Sequence, residues 1–186
     1  MKKSGEVRII GGQWRGRKIT VPNEDGVRPT PDRVRETLFN WLQPHLHGAN
    51  CLDAYAGTGV LGFECLSRGA KLVTFVDSNP AIIKHLEQTA ELLKTEAVDI
   101  VLAKFPRQFT NGETKFNIVL LDPPFSKHYL PGACHFLEDN HLLAKDALIY
   151  IECEVILDEL DIPDNWDIIK QQQAGEVQYA LIKRVN

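Results

Sequence analysis

The stretch Phe116-Asn117-Ile118-Val119-Leu120-Leu121-Asp122-Pro123-Pro124-Phe125 decides the architecture. Residues 117–121 are mostly apolar and partly β-branched, the composition of a strand buried on both faces rather than one that alternates. An acid and two prolines end it. Proline lacks an N–H and fixes φ, so the ladder cannot run on past Asp122. A core strand thus closes on one carboxylate, one stiff backbone corner and one aromatic ring. In open α/β sheets, ligands bind at that end of the strands.

Working outward from this strand, the chain from Asn50 alternates between strand and helix patterns. Strands are predicted at 50–54, 72–76, 98–102, 117–121 and 147–152, with helices near 59–67, 79–94, 104–110 and 130–143. That alternation predicts an α/β fold, a doubly wound, mostly parallel sheet with right-handed crossovers. The tail differs. Residues 166–171 and 177–184 flank a turn at Gly175 with no helix between them, so they pair antiparallel at the edge and bring the sheet to seven strands.

The first core strand runs into Leu52-Asp53-Ala54-Tyr55-Ala56-Gly57-Thr58-Gly59-Val60-Leu61-Gly62. Glycines 57, 59 and 62 spell G-x-G-x-x-G, the formula of a dinucleotide fingerprint. Asp53 argues against a pyrophosphate, which a carboxylate at the strand end would repel. The same acid suits a cationic group such as the ammonium of a methionine moiety. The second strand ends in Asp77-Ser78, where an acid can accept both hydroxyls of a ribose. Acids at both strand ends favour S-adenosylmethionine over NAD, with the backbone of Ala54, Tyr55, Gly57, Thr58 and Gly59 close to it. Contacts to the adenine are expected after the third strand, at Ala103 and Lys104. Many enzymes of this type carry an Asp or Asn there, so here backbone amides must do more.

The two corners together specify a chemistry. The exocyclic amine of a base is a poor nucleophile because its lone pair is delocalised into the ring. Asp122 and the carbonyl of Pro123 can each accept one N–H and turn that lone pair toward a methyl donor. Pro123 and Pro124 hold the acceptors rigidly, and Phe125 can stack on the base. Orientation supplies most of the acceleration. A base inside a duplex cannot enter such a slot, so the target is unpaired or flipped out.

The N-terminal region carries a different signal. Although the net charge is −4, residues 1–35 hold nine Lys and Arg against four acids, and the rest of the chain holds twelve against twenty-one. A basic arm on an acidic body suits a polyanion contact. Residues 7–10 and 18–21 read as two short strands around Gly11, Gly12 and Gly16, a hairpin whose loop presents Trp14, Arg15 and Arg17 for phosphates and base stacking. In Arg28-Pro29-Thr30-Pro31-Asp32-Arg33-Val34-Arg35, Thr30 reads as an N-cap and Pro31 as the first helical residue. Val34, Leu38, Trp41 and Leu42 then share the buried face, with Phe39 beside it. Arg8, Arg28, Arg33 and Arg35 are expected near a nucleic-acid backbone.

These motifs resemble a known family. Asp122-Pro123-Pro124-Phe125 with the Asp53–Gly59 loop is the pattern of amino-directed class I methyltransferases. Arg8-Ile9-Ile10-Gly11-Gly12-Gln13-Trp14-Arg15-Gly16-Arg17 and the segment from Arg28 to Phe39 resemble the RsmD family, as does Gly175-Glu176-Val177-Gln178-Tyr179. The resemblance runs from about Val7 to Lys183. It implies a Rossmann-like class I domain at 28–186 with a basic hairpin extension at 1–27. It implies methylation of N2 of a guanine in 16S rRNA, at the position usually numbered 966, with S-adenosylhomocysteine as product. The implied substrate is a small-subunit assembly particle with ribosomal proteins already bound. A DNA adenine-N6 methyltransferase is the alternative with the same chemistry, disfavoured because 186 residues leave no separate target-recognition domain. A non-catalytic RNA-binding assembly factor is disfavoured by the complete Asp122–Phe125 motif, and an NAD-binding domain by Asp53.

The remaining features read quietly. Cys51, Cys65, Cys134 and Cys153 are scattered and expected to be reduced. The six histidines show no metal-ligand spacing, so no metal is expected; His128 and Tyr129 are candidates for the base pocket. Glu152 and Glu154 read as structural. No apolar run has membrane-spanning length and residues 1–5 lack the apolar segment of a signal peptide, so a cytoplasmic monomer is expected.

Overall fold

The computed structural model describes residues 5–24, 30–124, 129–154 and 157–185. Two short strands, β1 (Glu6–Arg8) and β2 (Lys18–Thr20), pair antiparallel as the expected hairpin, with a single 3-10 turn at Gly12–Trp14 between them. Helix α1 (Asp32–Leu42) follows. The body is then built from β3 (Asn50–Asp53), α2 (Val60–Ser67), β4 (Leu72–Asp77), α3 (Pro80–Leu93), β5 (Val98–Leu102), β6 (Phe116–Leu121), α4 (Tyr129–Asp139) and β7 (Leu143–Cys153). Strands β8 (Trp166–Ala174) and β9 (Val177–Arg184) complete it.

The seven strands lie in the order β5-β4-β3-β6-β7-β9-β8. Pairings from β5 to β7 are parallel; β9 runs antiparallel to both β7 and β8. The chain winds outward from β3 to β5 and returns to place β6 beside β3, which makes the β3/β6 boundary the switch point where a cleft opens. Two apolar layers enclose the sheet. Residues of α1, α2, α3 and the hairpin pack on one face, and α4 with Phe105, Phe109 and Trp166 packs on the other.

Three local expectations change. No helix forms over 104–110. Pro106 brings no N–H, and the segment closes only a short turn, with Gln108 N donating to Lys104 O and Phe109 N to Pro106 O, while Phe105 and Phe109 sink into the core. The cap of α1 is Pro31 rather than Thr30, without a side-chain capping bond, because the Thr30 side chain is engaged in the cleft. Strand β7 starts earlier than expected, at Leu143, and pairs with β6 across a register shift.

The hairpin is bound to the body rather than loosely appended. Ile10 N donates to Glu64 Oε1, Ser67 Oγ to the Gly11 carbonyl at 2.5 Å, and Trp14 N to Ser67 Oγ at 2.9 Å. A Cβ at Gly12, whose φ is +75°, would run into the Ser67 backbone, so this contact requires glycine. Arg17 reaches the far end of α3 and donates to the Leu92 carbonyl at 2.9 Å.

Candidate active site

The strand ends bring three carboxyls to one face. Asp53 pairs with Leu120, and Leu120 with Tyr150, so these residues form one row across β3, β6 and β7. Two residues further along, Asp122 and Glu152 follow on the same side. A cleft of about 570 Å³ opens above them, lined also by Thr30, the 54–58 loop, Asp77, Ser78, Ala103, Lys104, Pro123, Pro124 and Tyr129.

The end of the cleft at β3 and β4 is made of anchored acids. Asp53 is buried and accepts one bond, from Gly62 N at 3.1 Å. Burial pushes its pKa up from an ordinary 3.8 to about 8 against the pull of that N–H, with the charge of Asp77 adding to the rise. Asp77 holds the loop in place: its two oxygens accept from Gly57 N at 3.1 Å and from Asn79 N at 2.9 Å. Asn79 caps α3 through Ala81 N and donates its amide to Glu24 at 2.9 Å. Ala103 N donates to the Asp77 carbonyl at 2.9 Å, and Lys104 N to Gln108 Oε1 at 3.1 Å.

Two of the glycines also have a packing role. Gly59 has φ +74°, and a Cβ there would meet Leu86 and Phe63; at Gly62 it would meet the Phe75 ring. Close packing of α2 therefore requires glycine at both, against α3 at Gly59 and against the sheet at Gly62. The donor set suits S-adenosylmethionine. A buried carboxyl with a single N–H partner lacks a cation, an accessible acid at the second strand end suits ribose hydroxyls, and Phe105 and Ile82 offer apolar surface.

At the other end, burial raises the pKa of Asp122, with the charges of Glu152 and Asp53 adding to it and a Thr30 hydrogen bond opposing it. Glu152 is raised by burial against hydrogen bonds from Tyr150 and Thr30; the Tyr150 hydroxyl donates to Glu152 Oε1 at 2.7 Å. Thr30 and Glu152 were not apparent as site residues in the sequence. The signal available for Glu152 was an acid next to the end of an apolar strand, in step with Tyr150. Pro123 is buried and Pro124 exposed. Phe125 and His128 lie outside the described residues. The Tyr55 ring meets Phe105 and Tyr129 edge-on, and its buried hydroxyl has no hydrogen-bond partner among the described residues.

The cations divide sharply. Arg8, Arg15, Arg17 and Arg33 are exposed. Arg35, expected at a nucleic-acid surface, is instead fully buried. It contacts Glu64 at 3.1 Å, Asp32 at 2.5 Å and the carbonyls of Arg8 and Thr30, holding α1, α2 and the hairpin together. Trp14 is half-buried against the core, and Arg28 lies outside the described residues. Among the described residues, no cluster of His, Cys, Asp and Glu could hold a metal ion, and no helix is long and apolar enough to cross a membrane.

Residues 7–183 match the family described as Conserved hypothetical protein 95. The chain is 45% identical over 181 residues to Ribosomal RNA small subunit methyltransferase D of Escherichia coli strain K12, across 97% of this chain and 91% of that protein. The chain belongs to the RsmD family. Another RsmD relative, the protein of the same name from Haemophilus influenzae, is 44% identical over 95% of this chain and 93% of its own. A solved structure from E. coli superposes with a TM-score of 0.88 at 43% identity, covering 97% of this chain and 99% of that one. One from H. influenzae gives 0.82 at 40% identity, over 98% and 100%. The RsmD fold is thus a Rossmann-like methyltransferase domain carrying a basic N-terminal hairpin.

Proposed function

We propose that this protein methylates the exocyclic N2 of a guanine in 16S rRNA, the one usually numbered 966, using S-adenosylmethionine and leaving S-adenosylhomocysteine. The observation that carries the reading is the opening of Asp53, Asp77 and Asp122 into one cleft at the β3/β6 switch point. The names of the RsmD relatives support a small-subunit rRNA as the target.

When bound, S-adenosylmethionine supplies a methyl group on a sulfonium sulfur. Asp53 takes the methionine ammonium, and the buried carboxyl gains the cation it lacks. Asp77 and Ser78 take the ribose hydroxyls. Backbone of Ala54, Tyr55, Gly57, Thr58 and Gly59 closes on the methionine side, and Ala103 and Lys104 meet the adenine.

Asp122 and the Pro123 carbonyl accept the two N–H groups of the amine. This sets its lone pair toward the methyl, and Pro124 stiffens the corner. The environment that raises Asp122 also makes its carboxylate the better acceptor for the proton the amine gives up. Phe125 stacks on the flipped base. Arg8, Arg15, Arg17 and Arg33, with Arg28, hold phosphates, and Trp14 borders them. In this reading residues 1–27 form the RNA arm and 28–186 the catalytic domain of a cytoplasmic monomer acting on assembly particles.

The test is transfer from labelled S-adenosylmethionine to unmodified small-subunit particles, deproteinised rRNA and duplex DNA, followed by nucleoside analysis. Label in N2-methylguanosine on the particle is expected. Label in N6-methyladenine discards the substrate assignment. Absence of label with the methyl donor bound discards the enzyme.

A further inference from the structure

An amino group alone does not identify guanine. Adenine and cytosine carry exocyclic amines too, and Asp122 with the Pro123 carbonyl reads only that group. Beside its 2-amino group guanine presents N1–H, a donor; the corresponding ring nitrogen of adenine is an acceptor. A site that selects guanine therefore needs a second fixed acceptor next to Asp122.

The cleft contains one. Leu121 pairs with Ile151 on parallel strands, so Asp122 and Glu152 stand opposite each other one residue further on, about 4.8 Å apart along the sheet. Both line the cleft. The Glu152 side chain is held by the Tyr150 hydroxyl at 2.7 Å, and the Thr30 hydroxyl stands beside Glu152 and Asp122, with one proton to offer either. A carboxylate offers about four lone-pair positions, so the Tyr150 bond orients it without exhausting it. Asp53 does not serve in this place, because it lies one row deeper and is bonded to the start of α2.

We propose that Glu152 reads the base, accepting guanine N1–H while Asp122 and the Pro123 carbonyl hold the 2-amino group; this rests on the guanine-N2 reading above. The Thr30 hydroxyl has one proton for the two carboxyls, so its choice of partner links their orientations. A base with the amine but an acceptor at N1 faces an unpaired buried carboxylate, which is the arrangement that rejects strongly.

The discriminating probe is 2,6-diaminopurine, which keeps the 2-amino group and has no N1–H. Small-subunit particles are reassembled with guanine or diaminopurine at the target position. Methyl transfer is compared for the wild-type chain and for Glu152→Gln, with calorimetric binding of S-adenosylhomocysteine as control. Wild type is expected to prefer guanine by about 100-fold or more in kcat/KM, because a buried acceptor left without its donor costs at least that order. Glu152→Gln presents an N–H that suits the diaminopurine acceptor, so it is expected to narrow the preference by about tenfold or more while retaining cofactor-product affinity. A wild-type preference below about tenfold overturns the proposal whether or not the variant folds. An unchanged preference in a folded variant overturns it too. Failure of wild type to methylate guanine at all overturns the underlying reading, and is distinguishable because no ratio then exists.

Discussion

The Arg35 guanidinium and the Glu64 carboxylate meet at 3.1 Å with neither side chain exposed to water. Glu64 also accepts from Ile10 N and from Arg68, and burial still pushes its pKa up against all three donors. Removing one partner strands the other charge in the interior. Arg35→Ala or Glu64→Ala is expected to cost about 3–5 kcal/mol, read by chemical denaturation. Replacing both together with apolar residues should cost less than the sum. A loss below about 1 kcal/mol would mean that the pair behaves as a surface ion pair.

Asp53 predicts a pH dependence. Its folded-state pKa of about 8 lies above the ordinary 3.8, so the folded chain holds the proton more tightly than the unfolded one. Stability of the ligand-free protein should therefore fall as pH climbs from about 4 to about 8, then level off. Asp53→Asn should flatten that slope in denaturation curves taken across the range. An ammonium arriving beside Asp53 favours its ionised form, so S-adenosylmethionine binding at pH 7 should release protons. Calorimetry in two buffers of different ionisation enthalpy measures that release, and buffer-independent heats would contradict the assignment.

The exposed arm makes a separable claim. Arg15→Ala with Arg17→Ala should weaken particle binding and reduce the salt slope by about 1–2, since each phosphate contact contributes about 0.7–0.9. Affinity for S-adenosylmethionine should not change. Arg17 also donates to Leu92, so Arg15→Ala alone is the cleaner comparison. An equal fall in cofactor affinity would place the arm at the wrong end of the molecule.

Glu138 governs the opposite edge. Arg184 holds its carboxyl down to about 2, with Trp166 and Asn165 also donating to it. A lowered acid contributes stability above its ordinary pKa near 4.5 and loses it as pH falls toward 2. The pair is partly exposed at the sheet edge, with about a fifth of each side chain open to water, so screening limits the effect to about 1 kcal/mol. Glu138→Gln should lower stability by that amount above about pH 5 and lose the difference from wild type as pH falls toward 2, read in melts across that range.

Residues 117–121 and the Asp122-Pro123-Pro124 stop were legible because a buried strand ended by prolines has few other readings. Asp53 and Asp77 were legible for the same reason, as acids at the ends of apolar strands. What escaped depended on partners far away in the chain. Arg35 looked like one more surface cation until Glu64, twenty-nine residues later, arrived to neutralise it. Thr30 has the local chemistry of an N-cap, yet Asp122 and Glu152 compete for its side chain and win. Glu152 reads as structural in the sequence because nothing nearby reveals that β7 lies beside β6. The segment at 104–110 has a helical pattern, but two phenylalanines drawn into the core and a proline outweigh it.

The attachment of the hairpin to α2 also bears on the order in which the molecule is assembled. Ile10 waits for Glu64, fifty-four residues further on, and Arg17 for the carbonyl of Leu92, seventy-five residues further on. A lone two-stranded hairpin is marginal in water. During synthesis the arm therefore emerges before the surface that steadies it. Strands β1 and β2 are completed only after α2 and α3 have followed them, and a nascent chain arrested before Ser67 would carry the basic arm without its mount.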